Sequence, residues 1–123
     1  MSINSMIINA LKPLAPIKPD FFKDPPPTYF TFNYSTIPDM FGDDGPGAER
    51  YLVQVHLYCP LNYNSLSLRD KAKQALFRAG FTWPNEADGG IDGLLSGPNE
   101  GDDGRLHRIF EFETAEGVDY GGP

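Results

Sequence analysis

The residues with the most reactive side chains lie in one short segment. Residues 51–64 read YLVQVHLYCPLNYN and contain His56 and, three positions later, Cys59, the only cysteine of the sequence. A thiol beside an imidazole could act as a nucleophile with its base. However, the segment alternates apolar and polar residues, which predicts a strand, and side chains three apart on a strand point to opposite faces. We therefore predict that Cys59 is a small buried hydrophobic residue and that the pair is not catalytic.

A second set of titratable residues occurs in RLHRIFEFET, residues 105–114. His107, Glu111 and Glu113 would share one face of a strand, which suggests a hydrolase with an acid–base cluster as one interpretation. Alternating charge on the wet face of an antiparallel sheet explains the same pattern without catalysis. The sequence has no glycine-rich phosphate loop, no Gly-x-Ser-x-Gly elbow and no Walker pattern. We predict no catalytic residues and no cofactor, and the hydrolase stays as an alternative.

An acidic, glycine-rich segment covers residues 84–104, with six acidic residues, six glycines and no basic residue. Calcium ions bind several carboxylate oxygens, but neither DGGIDG nor NEGDDG has the spacing of an EF-hand loop, so we predict no metal site. Few apolar residues anchor the segment, which predicts an irregular, mobile loop that contacts a partner or a neighbouring subunit. The predicted contact residues are Asp88, Asp92, Leu94, Leu95, Glu100, Asp102 and Asp103.

Two short motifs in the proline-rich segment are similar to ligands of protein-recognition domains. Pro13-x-x-Pro16-x-x-Pro19 is similar to SH3 ligands, and PPTY at residues 26–29 is similar to WW-domain ligands. Tyr29 also begins a predicted strand, which would bury much of its side chain. A small cytosolic module that binds proteins through these prolines or through the acidic segment is the alternative function.

The periodicity predicts a single α+β domain over residues 1–123, with a core of about residues 1–114 and a flexible tail over 115–123. Helices are predicted over residues 3–12 and 65–79, capped by Ser2, by Ser65 or Ser67, and by Gly80 at the second C-terminus. Strands are predicted over 29–34, 50–59 and 105–114, with a short one at 81–84. We expect a mostly antiparallel sheet of about four strands with helices packed on one face.

Charge and N-terminal composition restrict the function further. The formal net charge is −7, so the surface as a whole is not suited to nonspecific phosphate binding. Residues 1–20 have neither the charged start nor the long apolar run of a signal peptide or membrane helix, and we predict no membrane association. A single cysteine favours a reducing cytosol.

The order of these segments resembles the tail-terminator, or tail-completion, proteins of long-tailed phages and prophages, especially those of Gram-positive hosts. The resemblance rests on YLVQVHLYCPLNYN, on ALFRAGFTWP at the end of the second helix, and on a strand ending in IFEFE after a variable loop. It covers roughly residues 1–114.

The resemblance implies a structural protein without catalytic turnover. Such proteins form a homo-oligomeric ring, commonly a hexamer, that caps the tail tube and joins the tail to the head. The implied partners are the tail tube protein and the head connector protein, and DNA would pass through the ring without specific binding. The implied location is the host cytoplasm during assembly and the virion tail afterwards.

Overall fold

A computed structural model of the chain describes residues 2–37, 50–61, 63–92 and 105–114. These residues form one sheet in the order β1-β2-β3-β5-β4, in which only the β1–β2 pair is parallel. The predicted α+β fold with a mostly antiparallel sheet is confirmed, with five strands instead of about four. The elements are α1 (Ile3–Leu11), β1 (Ile17–Pro19), β2 (Tyr29–Ile37), β3 (Arg50–Pro60), α2 (Leu66–Arg78), β4 (Asn85–Asp92) and β5 (Arg105–Glu113).

The central strand β3 divides the sheet into an apolar face and a more polar face. Its odd-numbered residues from Tyr51 to Cys59 are buried, whereas the even-numbered residues between them are half-buried on the other side. Val55 pairs with Phe32 of β2 and Phe110 of β5, which are also buried. The predicted facing of this strand is therefore confirmed. We call the opposite side the outer face; it carries Tyr29, Thr31, Asn33, Gln54, His56, Tyr58, His107, Ile109 and Glu111.

Both helices pack on the apolar face of the sheet. Each presents buried residues at spacings of three or four, the pattern of an amphipathic helix, and these residues join the same core cluster as β2, β3 and β5. In the described part of the chain, neither helix covers the outer face, which confirms the expected one-sided packing. The buried helical residues are Ile3, Ile7 and Leu11 in α1 and Leu68, Ala72 and Leu76 in α2.

Helix α2 ends in a Schellman motif, as the position of Gly80 predicts. The Gly80 N–H donates to the Phe77 carbonyl at 3.1 Å, and the Phe81 N–H donates to the Leu76 carbonyl at 3.3 Å. Gly80 has a φ of 109°, a conformation that glycine adopts without steric cost. Phe81 and Leu76 are both buried in the core, so the motif also directs the chain from the helix back to the sheet.

The two helix N-termini differ from each other. The Ser2 hydroxyl accepts from the Ser5 N–H at 3.2 Å, which confirms the predicted cap of α1. At α2 Ser65 occupies the N-cap position, as one of the two predictions has it, but its side chain makes no capping bond, and Ser67 lies inside the helix. Asn64 Oδ1 accepts from the Leu66 N–H at 3.2 Å instead, and Ser65 is buried.

The proline-rich segment contains strand β1, which its composition does not predict. Pro16 accepts from the Phe30 N–H at 2.8 Å, and the Asp20 N–H donates to the Phe32 carbonyl at 2.9 Å. Prolines favour extended, irregular chain, and Ile17–Pro19 is extended but regularly paired with β2. A strand at the edge of a sheet needs hydrogen bonds on one side only, and Pro19 is tolerated there.

Strand β4 corrects the prediction that residues 84–104 form an irregular loop. Residues Asn85–Asp92 pair with β5, and the register shifts between Asp88 and Gly90, where Gly90 has a φ of 85°. Asp88 Oδ1 accepts from the Gly90 N–H at 2.8 Å and so stabilises this bulge. Residues 93–104 and the predicted tail 115–123 lie outside the described residues. The predicted strand at 81–84 is only a bridge between Phe81 and Thr114.

We expect Leu76→Ala to destabilise the protein by about 2–5 kcal/mol, because Leu76 is fully buried and truncation leaves a cavity. Urea unfolding monitored by circular dichroism measures the change. Leu66→Ala is the matched control, since Leu66 is 56% exposed on the same helix and should change stability by less than about 0.5 kcal/mol. A similarly small loss for Leu76→Ala would mean that this helix face is assigned wrongly.

Candidate functional site

Cys59 and His56 lie on opposite faces of β3, as predicted. Cys59 is fully buried on the core side, and His56 is half-buried on the outer face. Burial raises the pKa of the Cys59 thiol, although a hydrogen bond with Ser65 and the charges of Arg69 and Arg108 act in the opposite direction. A buried thiol that stays protonated is a poor nucleophile. The geometry therefore favours a packing role for Cys59.

The outer face holds a pair of hydrogen-bonded histidines. His56 Nδ1 and His107 Nε2 are 2.7 Å apart, and Asn33 Nδ2 lies 3.4 Å from His56 Nε2. A hydrogen bond between two imidazoles requires one nitrogen to carry a proton and the other to offer a lone pair. Hydrogen bonds between Asn33, His56 and His107 thus link β2, β3 and β5 across the sheet. The two histidines are the residues for which the sequence suggested catalysis.

Three stacked rings form a row that crosses β2, β3 and β5, and one of them is His107 of the histidine pair. Tyr29 and Tyr58 have ring centroids 4.8 Å apart, and Tyr58 and His107 have centroids 4.4 Å apart, both nearly parallel. The three residues are direct cross-strand neighbours. Each aromatic pair of this kind contributes about 0.5–1.5 kcal/mol beyond its buried area. This ring row therefore joins the strands on the outer face as the core does on the inner face.

The far side of the His107 ring lies against the backbone of β4. A Cβ atom on Gly89 would come within 2.6 Å of His107 Cγ and Nδ1, so only glycine fits there without displacing the ring. Tyr58 covers the other face of the same ring. His107 is thus enclosed between a tyrosine and a strand, which is a packed position and not an open catalytic one.

The acid–base cluster of the alternative hydrolase interpretation does not converge. His107 bonds to His56, whereas Glu111 accepts from Gln54 Nε2 at 3.3 Å. His107 and Glu111 are four residues apart along one strand, a separation of about 13 Å at the usual rise per residue. Carboxylate and imidazole acting on one bond must lie much closer, so the geometry gives the hydrolase interpretation no support.

The seven residues predicted to contact a partner divide into two groups. Asp88 is exposed in β4 and binds the bulge backbone, and Asp92 lies at the end of β4 in register with Arg105. The structure brings these two to the sheet edge. The remaining predicted residues lie outside the described part of the chain: Leu94, Leu95, Glu100, Asp102 and Asp103.

An ion cluster between α2 and β4 has no counterpart in the sequence predictions. Arg69 Nη1 lies 2.6 Å and Lys73 Nζ 3.2 Å from the two carboxylate oxygens of Glu86. Burial alone would raise the pKa of Glu86, but the hydrogen bonds and charges of Arg69 and Lys73 lower it overall. The cluster attaches the helix to an edge strand. Its only sequence signal is the four-residue spacing of two cations on one helix face.

A cleft beside Trp83 is a second feature that sequence reasoning missed. Its volume is about 130 Å³, and Trp83 is 52% exposed in edge contact with Phe77, with ring centroids 5.5 Å apart. Among the described residues, no basic side chain forms an ion pair with Glu111 or Glu113 at its rim. The cleft is lined by Leu52, Thr82, Trp83, Asn85, Glu111, Phe112 and Glu113. Such a site can bind an apolar group that has a positive charge beside it.

Both proline motifs are built into one edge of the sheet. Pro19 belongs to β1, and Tyr29 of PPTY is half-buried in the ring row. Binding of Tyr29 in a WW-domain groove would require its removal from the stack with Tyr58. The geometry therefore disfavours a WW-ligand role for PPTY, whereas Pro13, Pro16 and Pro19 are exposed.

Comparison of the chain with protein-family models, with curated proteins and with solved structures finds no match. Within the described ranges, no group of three or more His, Cys, Asp or Glu residues is placed to hold a metal ion. None of the described helices has the length and apolar character needed to cross a membrane.

The lowered pKa of Glu86 predicts a pH-dependent contribution to stability. The ionised carboxylate is favoured in the folded state, so the contribution is present above the ordinary value of 4.5 and disappears as the pH falls below it. We expect the urea midpoint of the wild type to fall more steeply below that pH than the midpoint of Glu86→Gln. Asp24→Asn, at an exposed position after β1 that forms no ion pair among the described residues, is the control. Parallel pH profiles for wild type and Glu86→Gln would contradict the ion cluster.

Gly89→Ala is expected to destabilise the protein by about 1–3 kcal/mol, because the new methyl group overlaps the His107 ring and must displace it. Chemical denaturation measures the loss. In a His107→Ala background the same substitution should cost much less, so the double-mutant cycle isolates the contact. Ala87→Ser, at an exposed position on the same strand, is the control. Equal costs of Gly89→Ala in both backgrounds would contradict the contact.

Proposed function

We propose that this chain is a non-catalytic structural subunit of a long-tailed phage or prophage, which caps the tail tube as a ring and joins the tail to the head. The proposal begins with the resemblance carried by YLVQVHLYCPLNYN, ALFRAGFTWP and IFEFE. One structural observation supports it above all: the two histidines of the outer face bind each other, whereas an exposed aromatic side chain lies next to each edge strand, Phe21 after β1 and Trp83 before β4.

Ring formation requires two different contact surfaces on each subunit. In a closed ring of identical copies, one surface binds the other surface of the next copy. The sheet has β1 at one edge and β4 at the other, separated by four strand spacings, or about 19 Å. A rigid two-layer domain with two distinct edges satisfies this requirement and needs no catalytic group.

The proposed partners are further copies of the chain, the tail tube protein and the head connector protein. The predicted contact residues, from Asp88 to Asp103, would face one of them. The net charge of −7 would let DNA pass through the ring without binding, because acidic walls repel phosphates. Assembly would take place in the host cytoplasm, and the protein would then remain in the virion tail.

Tail length is the most direct test of this function. In the phage or lysogen that encodes the chain, deletion of the gene should yield tails that are longer than normal, variable in length and without heads. Negative-stain electron microscopy measures the length distribution.

Complementation provides the matched control for the deletion. The wild-type protein should restore uniform, head-joined tails, and Cys59→Ser should restore them equally, because the thiol is buried in the core. Tails of normal length joined to heads in the deletion strain would overturn the proposed function. If a folded Cys59→Ser protein fails to complement, the result would support the catalytic interpretation of Cys59.

A further inference from the structure

The turn after β1, residues Asp20–Asp24, holds a phenylalanine out in solvent. Phe21 is 73% exposed, whereas its neighbour Phe22 packs edge-on against Tyr29 with ring centroids 5.4 Å apart. Asp20 and Asp24 have φ values of 63° and 53°, and the Phe21 N–H donates to the Pro19 carbonyl at 2.7 Å. Left-handed backbone at two non-glycine residues is uncommon and calls for a functional explanation.

The Trp83 cleft is a partly open, mostly polar depression with an aromatic wall. Its volume is about 130 Å³, and a phenyl ring would lie against the exposed indole without being enclosed. Trp83 and Leu52 provide apolar walls, and Glu111 and Glu113 provide carboxylates at the rim. An inserted phenyl ring would cover part of the exposed indole and leave the acidic rim at the edge of the contact.

The charges beside Phe21 complement those of the cleft. Lys23 and Lys18 are exposed close to the turn, and Lys18 Nζ lies 5.6 Å from the centre of the Phe22 ring. Asp20 lies instead near Tyr34, whose pKa is raised by burial, by Tyr51 and by Asp20. A lysine beside the inserted ring would thus meet the carboxylates that have no described cationic partner.

Phe21 does not occupy the cleft of its own chain. It follows β1 at one edge of the sheet and is 73% exposed, whereas the cleft is lined by residues of β3, β5, β4 and the segment before β4. A contact that places Phe21 in such a cleft would therefore join two copies in a heterologous, head-to-tail manner, and repetition of that contact gives a ring or a filament.

We propose that two copies of this chain associate head to tail, with Phe21 of one copy in the Trp83 cleft of the next and Lys23 beside Glu111 or Glu113. The proposal names the contact between neighbouring subunits of the ring. Closure of these contacts into a ring rests on the proposed function. Association between two copies can nevertheless be tested with the purified chain alone.

Disulfide trapping tests the contact and its polarity. Lys23→Cys and Glu111→Cys, which leave Phe21 and Trp83 in place, are prepared separately in a Cys59→Ser background, mixed and oxidised mildly. We expect a mixed disulfide dimer on the order of tenfold above the yield from Lys23→Cys with Leu66→Cys, since a specific contact raises the local thiol concentration. Leu66 is exposed on α2, away from the cleft lining, and serves as the matched control.

Two trapping results would overturn the proposal. Equal yields for the test pair and the control pair would mean that the turn and the cleft do not meet. A dominant dimer from Lys23→Cys alone would mean that the turn binds a second turn in an isologous contact.

A charge exchange tests the lysine separately. Lys23→Glu should weaken self-association in sedimentation experiments by about tenfold, and addition of Glu111→Lys and Glu113→Lys should restore it. Lys71→Glu, at an exposed position on α2, should have little effect. If the wild type and all three variants associate alike, the cleft is not the site. If head-to-tail dimers form but the deletion strain makes normal tails, this contact stands and the tail function fails.

Discussion

The alternation of β3 is the constraint on which the rest of the structure depends. This strand has a partner on each side, and its odd-numbered residues bury the helices' apolar faces while its even-numbered residues meet their neighbours on the outer face. A slip of one residue would exchange the two faces and place His56 in the core. The register of β2 and β5 follows from β3, because Phe32 and Phe110 must both pack beside Val55.

The side chains that the sequence suggests for catalysis stabilise the contacts between neighbouring strands in the structure. His56, His107 and Tyr58 bind and stack across three strands, and Gly89 permits the edge strand to approach closely. Residue type alone cannot distinguish a catalytic imidazole from one that joins strands. The distinction depends on whether the polar groups converge on a space that a substrate could occupy, and on the outer face they converge on one another.

The sequence predicts the fold best where the signal is local. The choice of buried residues in β3, the apolar faces of both helices and the C-terminal cap at Gly80 each depend on periodicity or on a single turn. Strands β1 and β4 escaped prediction because an edge strand is held by its neighbour's backbone, not by an apolar pattern of its own. The Glu86 ion cluster and the Trp83 cleft unite residues that are distant in sequence, so they could be found only in the folded chain.

The position of β5 has a consequence for the order of folding. Although β5 comes last among the described strands, it lies between β3 and β4 in the sheet. During synthesis, β4 has no partner strand until β5 has left the ribosome, and one side of β3 stays unpaired until then. Long-range pairing of this kind delays the formation of the sheet. A chain without β5 therefore lacks the partner of β4 and the second partner of β3, and this side of the sheet cannot be completed before β5 is present.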